Sequence, residues 1–315
     1  IMKYGFYSPN SGSTGRPDAL AEIARQGDQL GFDYMVFPDH VIQPRGVTSI
    51  YPYTVKGDFS GEKRGGGEVL EQLTTLGFLA AVTERIRLVT SVMIVPHRPA
   101  ILCAKMLATV DVLSKGRLIV GVGVGWMEEE FVALDAPPFA KRGAVSNEYL
   151  RAFIELWTND NPSFEGEFVR FSNLTFLPKP VQKPHPPIWV GGQSRPAIRR
   201  AAQLGNAWHP VGATPATPLE PEQLLKDMAT LRRFAEKAGR DPAEIEVAMK
   251  APIYDPDVAS AGGRRRFSGT ADDVRRDIET YSELGVGHLI FDIRKPDLSQ
   301  TLGALEWFAE VIMAQ

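Results

Sequence analysis

The regular alternation of short apolar runs with amphipathic runs is the feature that most constrains the fold of this chain. Apolar runs rich in β-branched residues are typical of buried parallel strands, and apolar residues spaced three or four apart are typical of helices that cover a sheet. We predict eight strands, at Lys3–Tyr7, Asp33–Phe37, Ile86–Val92, Arg117–Val122, Pro187–Val190, Ala207–Val211, Glu244–Ala248 and His288–Ile293. We predict helices at Pro17–Leu30, Val69–Val82, Pro99–Leu113, from Glu128, Val145–Trp157, Arg195–Leu204, Pro221–Ala238, Ala271–Leu284 and Ser299–Met313.

Eight strand–helix units in 315 residues favour a closed (β/α)8 barrel, the TIM-barrel fold. An open doubly wound sheet is the alternative. Two stretches interrupt the rhythm. Val41–Glu68 is a long loop after the second strand, rich in glycine and aromatic residues, and Asn159–Lys183 carries four phenylalanines with strand-like spacing. We interpret the second stretch as an inserted β-hairpin. Because no flexible linker separates two cores, we expect one domain over 1–315 with an insertion at about 159–183.

Charge and cysteine content exclude several classes of function. The formal net charge is −3 and the chain has one cysteine, Cys103. This argues against a general nucleic-acid-binding protein, a disulfide framework and a multi-cysteine metal site. No apolar run approaches the roughly 20 residues that span a bilayer, and no signal peptide is visible. We therefore expect a cytoplasmic protein with a small-molecule substrate and without nucleic-acid or membrane partners.

In a barrel of this kind the active site lies at the C-terminal ends of the strands. The second predicted strand is followed by Asp39 and His40. Histidine exchanges protons near neutral pH, and Asp39 could orient it or accept a hydrogen bond from a ligand. The alternative is that the pair only caps the next loop. Ser91 is the small polar exception in the otherwise apolar end of the third strand.

Two glycine-rich segments follow later strands. Gly121, Gly123 and Gly125 alternate before Trp126, a spacing that differs from a dinucleotide-binding fingerprint. They allow a flat ring to approach the backbone, or else they serve close packing inside the barrel. The segment Gly191–Arg195 combines a Gly-Gly turn with Ser194 as a candidate N-cap, an arrangement typical of a phosphate-binding helix N-terminus. A capped turn that binds no ligand is the alternative.

These segments together resemble the luciferase-like monooxygenase superfamily, and within it the branch of coenzyme F420-dependent oxidoreductases. The segments that carry the resemblance are Arg117–Trp126 with Met127–Phe131, Pro186–Gly192, Gly205–Trp208 and Lys105–Asp111.

The resemblance implies a barrel that binds FMN or F420 at its strand C-termini, with a bulge and a cis peptide at Ser91–Val92 behind the middle ring. It implies His40 as the catalytic residue and a homodimer formed through the second to fourth helices. The implied cofactor-binding residues are Asp39, Ser91, Val92, Val124, Gly125, Gly191, Gly192, Ser194 and Arg195. The substrate pocket is expected to include Trp126, Tyr51 and Tyr53, with Phe59 from the same loop.

Trp126 stands where F420-dependent sugar-phosphate dehydrogenases carry a glutamate, which points to a less polar substrate. F420 has an anionic tail, and Arg264–Arg266 and Lys250 could serve it. We therefore favour F420-dependent hydride transfer to or from a small, fairly apolar substrate, with His40 exchanging the accompanying proton. The alternatives are an FMN-dependent monooxygenase that uses reduced flavin and oxygen, and a flavin-binding protein without catalytic activity.

Overall fold

A closed ring of eight parallel strands dominates the computed structural model, which describes residues 1–57, 59, 68–251 and 264–314. The ring strands are β1 (Lys3–Tyr7), β2 (Tyr34–Phe37), β3 (Arg87–Thr90), β5 (Leu118–Gly123), β8 (Ile188–Gly191), β9 (Ala207–His209), β10 (Glu246–Ala251) and β11 (His288–Phe291). Three short strands complete the set: β4 (Met93–Ile94), β6 (Phe164–Glu165) and β7 (Arg170–Phe171). Pairing of Leu88 in β3 with Leu118 in β5 closes the ring, so the (β/α)8 barrel is confirmed and an open sheet is excluded.

Helices surround the ring. They are α1 (Pro17–Gln29), α2 (Gln72–Val82), α3 (Ala100–Leu113), α4 (Glu128–Ala133), α5 (Arg142–Thr158), α6 (Arg195–Leu204), α7 (Pro221–Lys237), α8 (Ala271–Glu283) and α9 (Leu298–Phe308). Most of the apolar core lies between these helices and the strands. A smaller core inside the ring includes Tyr34 and Trp189, whose rings meet edge to face at 5.1 Å. No helix in the described part of the chain is long and apolar enough to cross a membrane.

Local capping explains where the predicted boundaries were wrong. The second helix begins at Gln72 rather than Val69, because the Glu71 carboxylate caps it by accepting a hydrogen bond from the N–H of Thr74 at 2.7 Å. The seventh ring strand runs over Glu246–Ala251 rather than Glu244–Ala248. Here Pro242–Glu244 forms a 3-10 turn capped by Asp241, which delays the start of the strand.

The third predicted strand is divided by a bulge. β3 ends at Thr90, the Ser91–Val92 peptide bond is cis, and β4 resumes at Met93, as the family resemblance implied. Glycines on the neighbouring strands accommodate this bulge. A Cβ on Gly123 would lie 2.6 Å from Val92 Cγ2, and one on Gly191 would lie 2.9 Å from Val92 Cγ1. Val92 therefore fits between two backbones that must lack side chains.

The remaining glycines of the alternating run also face protein. A Cβ on Gly121 would lie 1.9 Å from the carbonyl oxygen of Thr90. Gly125 has a positive φ of 87°, and a Cβ there would lie 2.6 Å from the Phe131 ring. These contacts support close packing as one interpretation of the run, and its use as a wall for a flat ring stays a prediction. The glycines are required by packing around the bulge, and the bulge itself faces the site.

Substitution of Gly123 by alanine is expected to destabilise the protein by about 1–3 kcal/mol, because Val92 must leave its position. Gly303 is the matched control, since it lies in α9 with no atom near an added Cβ. Gly303→Ala is expected to stabilise the protein by about 0.5–1 kcal/mol. Urea unfolding of both variants measures the difference, and equal stabilities would contradict the packing role of Gly123.

The predicted insertion contains the antiparallel pair β6–β7, with Phe164 opposite Phe171. Each strand has only two residues, which is shorter than the phenylalanine spacing indicated. The turn is held from outside the hairpin. Glu148 of α5 accepts hydrogen bonds from the N–H groups of Glu167, Phe168 and Val169 at 2.7–2.9 Å.

Candidate active site

One cavity of about 690 Å³ opens at the C-terminal ends of the ring strands. That size is in the range of small-molecule and cofactor sites. Arg195 and Phe59 are not among its lining residues, but these other predicted site residues are: Asp39, His40, Tyr51, Tyr53, Ser91, Val92, Val124, Gly125, Trp126, Gly191, Gly192 and Ser194. Sequence reasoning did not assign to the site several further lining residues with polar side chains, namely His97, Glu130, Arg142, Arg200 and His209.

His40 is paired with Glu130 of α4. The His40 Nδ1 atom lies 3.1 Å from Glu130 Oε2, and Glu130 Oε1 accepts hydrogen bonds from the N–H groups of Val41 and Ile42 at 2.8 and 3.3 Å. Burial opposes ionisation of Glu130, but the hydrogen bond from His40 and its charge outweigh burial and lower the pKa of the carboxyl. The ionised carboxylate accepts from Nδ1–H, so Nε2 is the atom through which His40 exchanges a proton with a ligand.

Asp39 does not orient His40, contrary to one of the expectations above. Its carboxylate accepts two hydrogen bonds from the Arg98 guanidinium, at 2.8 and 2.9 Å, and a third from the N–H of Ile94 at 2.9 Å. Arg98 also pairs with Glu71 at 2.6 Å. Burial opposes the charged form of Arg98, but the hydrogen bonds that its guanidinium donates to Asp39 raise the pKa of Arg98 above its usual range. Asp39 thus fixes the chain just after the bulge.

An aromatic cluster lies at the cavity. It consists of Tyr51, Tyr53, Phe59 and Trp126, with neighbouring ring centroids 5.0–5.5 Å apart. The His40 ring lies 5.3 Å from Phe59. Trp126 lines the cavity, and its large apolar ring there favours an apolar substrate.

Glu129 anchors the loop that carries these tyrosines. Its carboxylate accepts hydrogen bonds from the backbone N–H and side-chain hydroxyl of both Thr48 and Ser49, at 2.7–3.0 Å. Burial opposes ionisation, but the hydrogen bonds donated by Ser49 and Thr48 together outweigh it and lower the pKa of Glu129 to about 2. The stabilisation is therefore complete above the ordinary carboxyl pKa and is lost as the pH falls through about 2.

Glu129→Gln is expected to speed backbone hydrogen exchange over residues 41–57 about tenfold at pH 7, because charged acceptors are worth about 1.5 kcal/mol. At pH near 2 the variant and the wild-type protein should converge. Glu128→Gln is the control, since its N–H rather than its carboxylate is bonded to this loop. Equal exchange in all three proteins at pH 7 would refute the anchoring role.

The floor of the cavity contains His209, which the sequence analysis overlooked. Its Nε2 atom lies 3.0 Å from the Ser91 hydroxyl, and its Nδ1 atom bonds the carbonyl of Ala248. Burial lowers the pKa of His209 to about 3, so the ring is neutral at physiological pH. Neutral imidazole with Nδ1–H donating to the carbonyl must accept the Ser91 proton at Nε2. The signal that could have found it is its position at the end of the sixth ring strand.

The Gly191–Gly192 turn leads into α6 as predicted. Gly192 has a φ of 97°, and the Ser194 hydroxyl caps the helix by accepting from the N–H of Ala197 at 3.4 Å. Within the described ranges, nothing accepts a hydrogen bond from the N–H groups of Gly192, Gln193 and Ser194. These groups at a helix N-terminus suit an anion.

The arginines near this turn differ from the prediction. Arg195 is exposed and lies over the Phe234 ring at 5.6 Å, so its side chain is directed away from the cavity. Arg200, one and a half turns later, lines the cavity instead and donates to Asn147 and the carbonyl of Gly143. Burial lowers its pKa to about 10. Arg142 lines the cavity beside it.

The arginine run expected to serve an anionic tail is engaged elsewhere. Arg264 and Arg266 both pair with Asp277, at 2.5 and 3.1 Å, and Arg266 also pairs with Glu220. Neither residue lines the cavity. In the described part of the chain, no group of three or more His, Cys, Asp and Glu side chains could hold a metal ion.

The fold and the cavity define a (β/α)8 barrel with a ligand site at its C-terminal face, bounded by a bulge, a helix N-terminus and a histidine–carboxylate pair. The chain belongs to the luciferase-like monooxygenase family, whose model matches residues 2–261.

Three proteins show what this chain is similar to. An uncharacterized protein of Mycobacterium tuberculosis is 38% identical over 254 residues, which cover 79% of this chain and 83% of the relative. An FMNH2-dependent dimethylsulfone monooxygenase of Pseudomonas putida is 40% identical over 141 residues, 44% of this chain and 38% of that protein. The solved structure of an F420-dependent secondary alcohol dehydrogenase superposes with a TM-score of 0.76 at 20% identity, covering 99% and 98% of the two chains.

Proposed function

We propose that this protein is an oxidoreductase that uses a flavin-type cofactor. We further propose that the cofactor is F420 and that it serves hydride transfer to or from a small, fairly apolar organic substrate. The observation that carries the proposal is the convergence, in one cavity, of the Val92 bulge, the unbonded N–H groups at the N-terminus of α6 and the His40–Glu130 pair. The bulge offers a surface for a flat ring, and the N–H groups can bind an anionic group. The His40–Glu130 pair can exchange a proton.

The residues present fit such a cofactor. The phosphate would bind the N–H groups of Gly192–Ser194, with Arg142 and Arg200 in the same part of the cavity supplying positive charge. The ring would lie against Val92 and the backbone of Val124 and Gly125. Asp39 would act indirectly, by holding Ile94 and therefore the bulge in place.

When bound, the cofactor supplies the carbon that gives or receives a hydride. The protein then has to hold the substrate and exchange one proton. The aromatic cluster of Tyr51, Tyr53, Phe59 and Trp126 binds the apolar body and excludes water. His40 gives or accepts the proton at Nε2, while Glu130 stabilises the imidazolium through Nδ1. A flavin store without catalytic activity would have no use for this pair beside an open cavity.

Different observations support each of the two candidate cofactors, F420 and FMN. F420 is supported by the cations of the cavity, Arg142, Arg200 and Lys250, none of which has a carboxylate within 4.0 Å among the described residues. FMN, in a monooxygenase that uses reduced flavin and oxygen, is supported by the Pseudomonas relative and by the engagement of Arg264 and Arg266 away from the cavity. A cytoplasmic location, where reduced cofactors are available, accords with both.

Titration of the purified protein with F420 and with FMN, followed by ring fluorescence, tests the proposal. Saturable binding of F420 alone supports F420-dependent hydride transfer, and binding of FMN alone supports the monooxygenase. Arg200→Met should weaken binding of the preferred cofactor at least tenfold if Arg200 serves its anionic group. Arg199→Met is the control, because Arg199 is exposed and lies over Phe234. Failure of both cofactors to bind would refute the proposal.

We also propose a homodimer formed through α2 and α3. Apolar residues are spread around both helices and are not confined to the side that faces the barrel. They leave exposed apolar side chains on the surface, including Phe78, Leu102 and Leu113. A second copy of the chain would cover this face.

Leu102→Glu is expected to convert the dimer to a monomer, because it places a charge on the apolar surface that the second copy would cover. Light scattering coupled to size exclusion measures the change. Leu225→Glu, at an exposed leucine of α7, is the control and should leave the dimer intact. A monomeric wild-type protein, or a dimer unaffected by Leu102→Glu, would contradict this interface.

A further inference from the structure

Lys250 occupies an unusual position in the floor of the cavity. It lies near the C-terminal end of β10, and its side chain reaches across the barrel opening to the bulge, where Nζ donates to the carbonyl oxygen of Ser91 at 3.2 Å. The same nitrogen lies 4.8 Å from the centre of the Tyr7 ring. Lys250 is therefore beside the proposed ring site, and not at the rim where it was expected to serve a cofactor tail.

The positive charge of Lys250 is not balanced by its surroundings. An ammonium group has three N–H donors, and only the Ser91 carbonyl accepts from it within the described ranges. The nearby carboxylate, Asp292, is occupied by Arg294, whose Nε atom lies 2.7 Å from it. Arg294 itself lies 5.3 Å from the Tyr7 ring. Two cations and one carboxylate thus surround Tyr7.

The other titratable neighbours add no negative charge. His209, on the adjacent strand, is neutral, and burial and Asp292 raise the pKa of Tyr7 well above its usual range, so its hydroxyl stays protonated. Burial lowers the pKa of Lys250 to about 8, and Arg294 lowers it while Asp292 opposes the change. The Lys250 ammonium group therefore loses its proton more readily than that of an ordinary lysine. Its remaining N–H donors have no acceptor among the described residues and are at the cavity.

We propose that Lys250 binds an anionic oxygen at the floor of the active-site cavity. The oxygen belongs either to an acidic group of the substrate, such as a carboxylate or a sulfonate, or to the pyrimidine edge of the reduced ring. The assignment to the ring rests on the proposed function, whereas the assignment to the substrate does not. If the oxygen belongs to the substrate, the substrate is amphipathic, with an apolar body against Trp126 and Tyr51 and an acidic end at Lys250.

The test is a pH titration of the ε-carbon signal of Lys250 by NMR in protein labelled with ε-13C lysine. The signal is assigned by its absence in Lys250→Arg. Titrations are made without ligand, with methanesulfonate or acetate at constant ionic strength against chloride, and with reduced F420 or reduced FMN. An anion in contact should raise the pKa of Lys250 by about 1 unit or more. Lys226, an exposed lysine paired with Glu222, provides the control signal and should not move.

Each outcome decides the matter. A shift with methanesulfonate or acetate assigns the site to an acidic substrate group. A shift with a reduced cofactor alone assigns it to the ring. No shift with any of these ligands overturns the proposal. If the small anions shift the signal while neither cofactor binds in the fluorescence titration, the anion site stands and the proposed function fails, so the two failures are distinguishable.

Discussion

His40→Ala is expected to lower turnover about 100-fold or more while the affinity for the cofactor changes little. A positioned acid–base group contributes about 10²–10⁴-fold. His40 lines the cavity and has an ionised partner, Glu130, at Nδ1, and no described residue is hydrogen-bonded to its Nε2 atom. Steady-state turnover with the cofactor identified by titration measures the first effect, and ring fluorescence measures the second.

Two further variants sharpen this test. Glu130→Gln keeps a hydrogen-bond acceptor for Nδ1 but removes the charge that stabilises the imidazolium, so it should lose less activity than His40→Ala and shift the pH profile of turnover. His185→Ala is the control, because His185 bonds the neighbouring Pro186 carbonyl outside the cavity. Unchanged turnover in His40→Ala would remove His40 from the reaction.

Asp39→Ala is expected to destabilise the protein by about 3 kcal/mol or more. The Arg98 side chain is only 9% exposed, and loss of Asp39 leaves it with Glu71 as its one carboxylate partner among the described residues. Removal of one member of a buried ion pair typically destabilises by about 3–5 kcal/mol, since the other charge remains buried. Urea unfolding measures the effect.

The same substitution should also loosen the chain after the bulge, because the N–H of Ile94 loses its acceptor. Cofactor binding is therefore expected to weaken in Asp39→Ala even under conditions where the protein is folded. Asp18→Ala, at an exposed position in the first turn of α1, is the control and should change the stability by less than about 1 kcal/mol. A comparably small change in Asp39→Ala would show that the Arg98 network is not needed for folding.

The sequence was sufficient to predict the barrel and the end of it at which the candidate site residues meet. Strand–helix alternation is a local pattern, and closure of eight parallel strands then brings Asp39, Ser91, Val124 and Gly191 to one end without further information. The hairpin insertion and the bulge at Ser91–Val92 were also found, the second only through the family resemblance.

Side-chain pairing was beyond the reach of the sequence. Glu130 is 90 residues from His40, whereas Asp39 is adjacent to it, so proximity along the chain suggested the wrong partner. Arg195 and Arg200 both belong to α6, but helical rotation directs only the second into the cavity. The direction of each glycine Cβ likewise depends on a neighbouring strand, which no local pattern specifies.

The seating of Val92 between Gly123 and Gly191 offers a means of enlarging the site. Replacing this one valine by alanine would deepen the recess by two methyl groups without changing any polar side chain. Bulkier ligands could then be accommodated by engineering at a single codon. Homologues with larger residues at 123 or 191 should carry a compensating smaller one at 92, so these three positions ought to vary together through evolution.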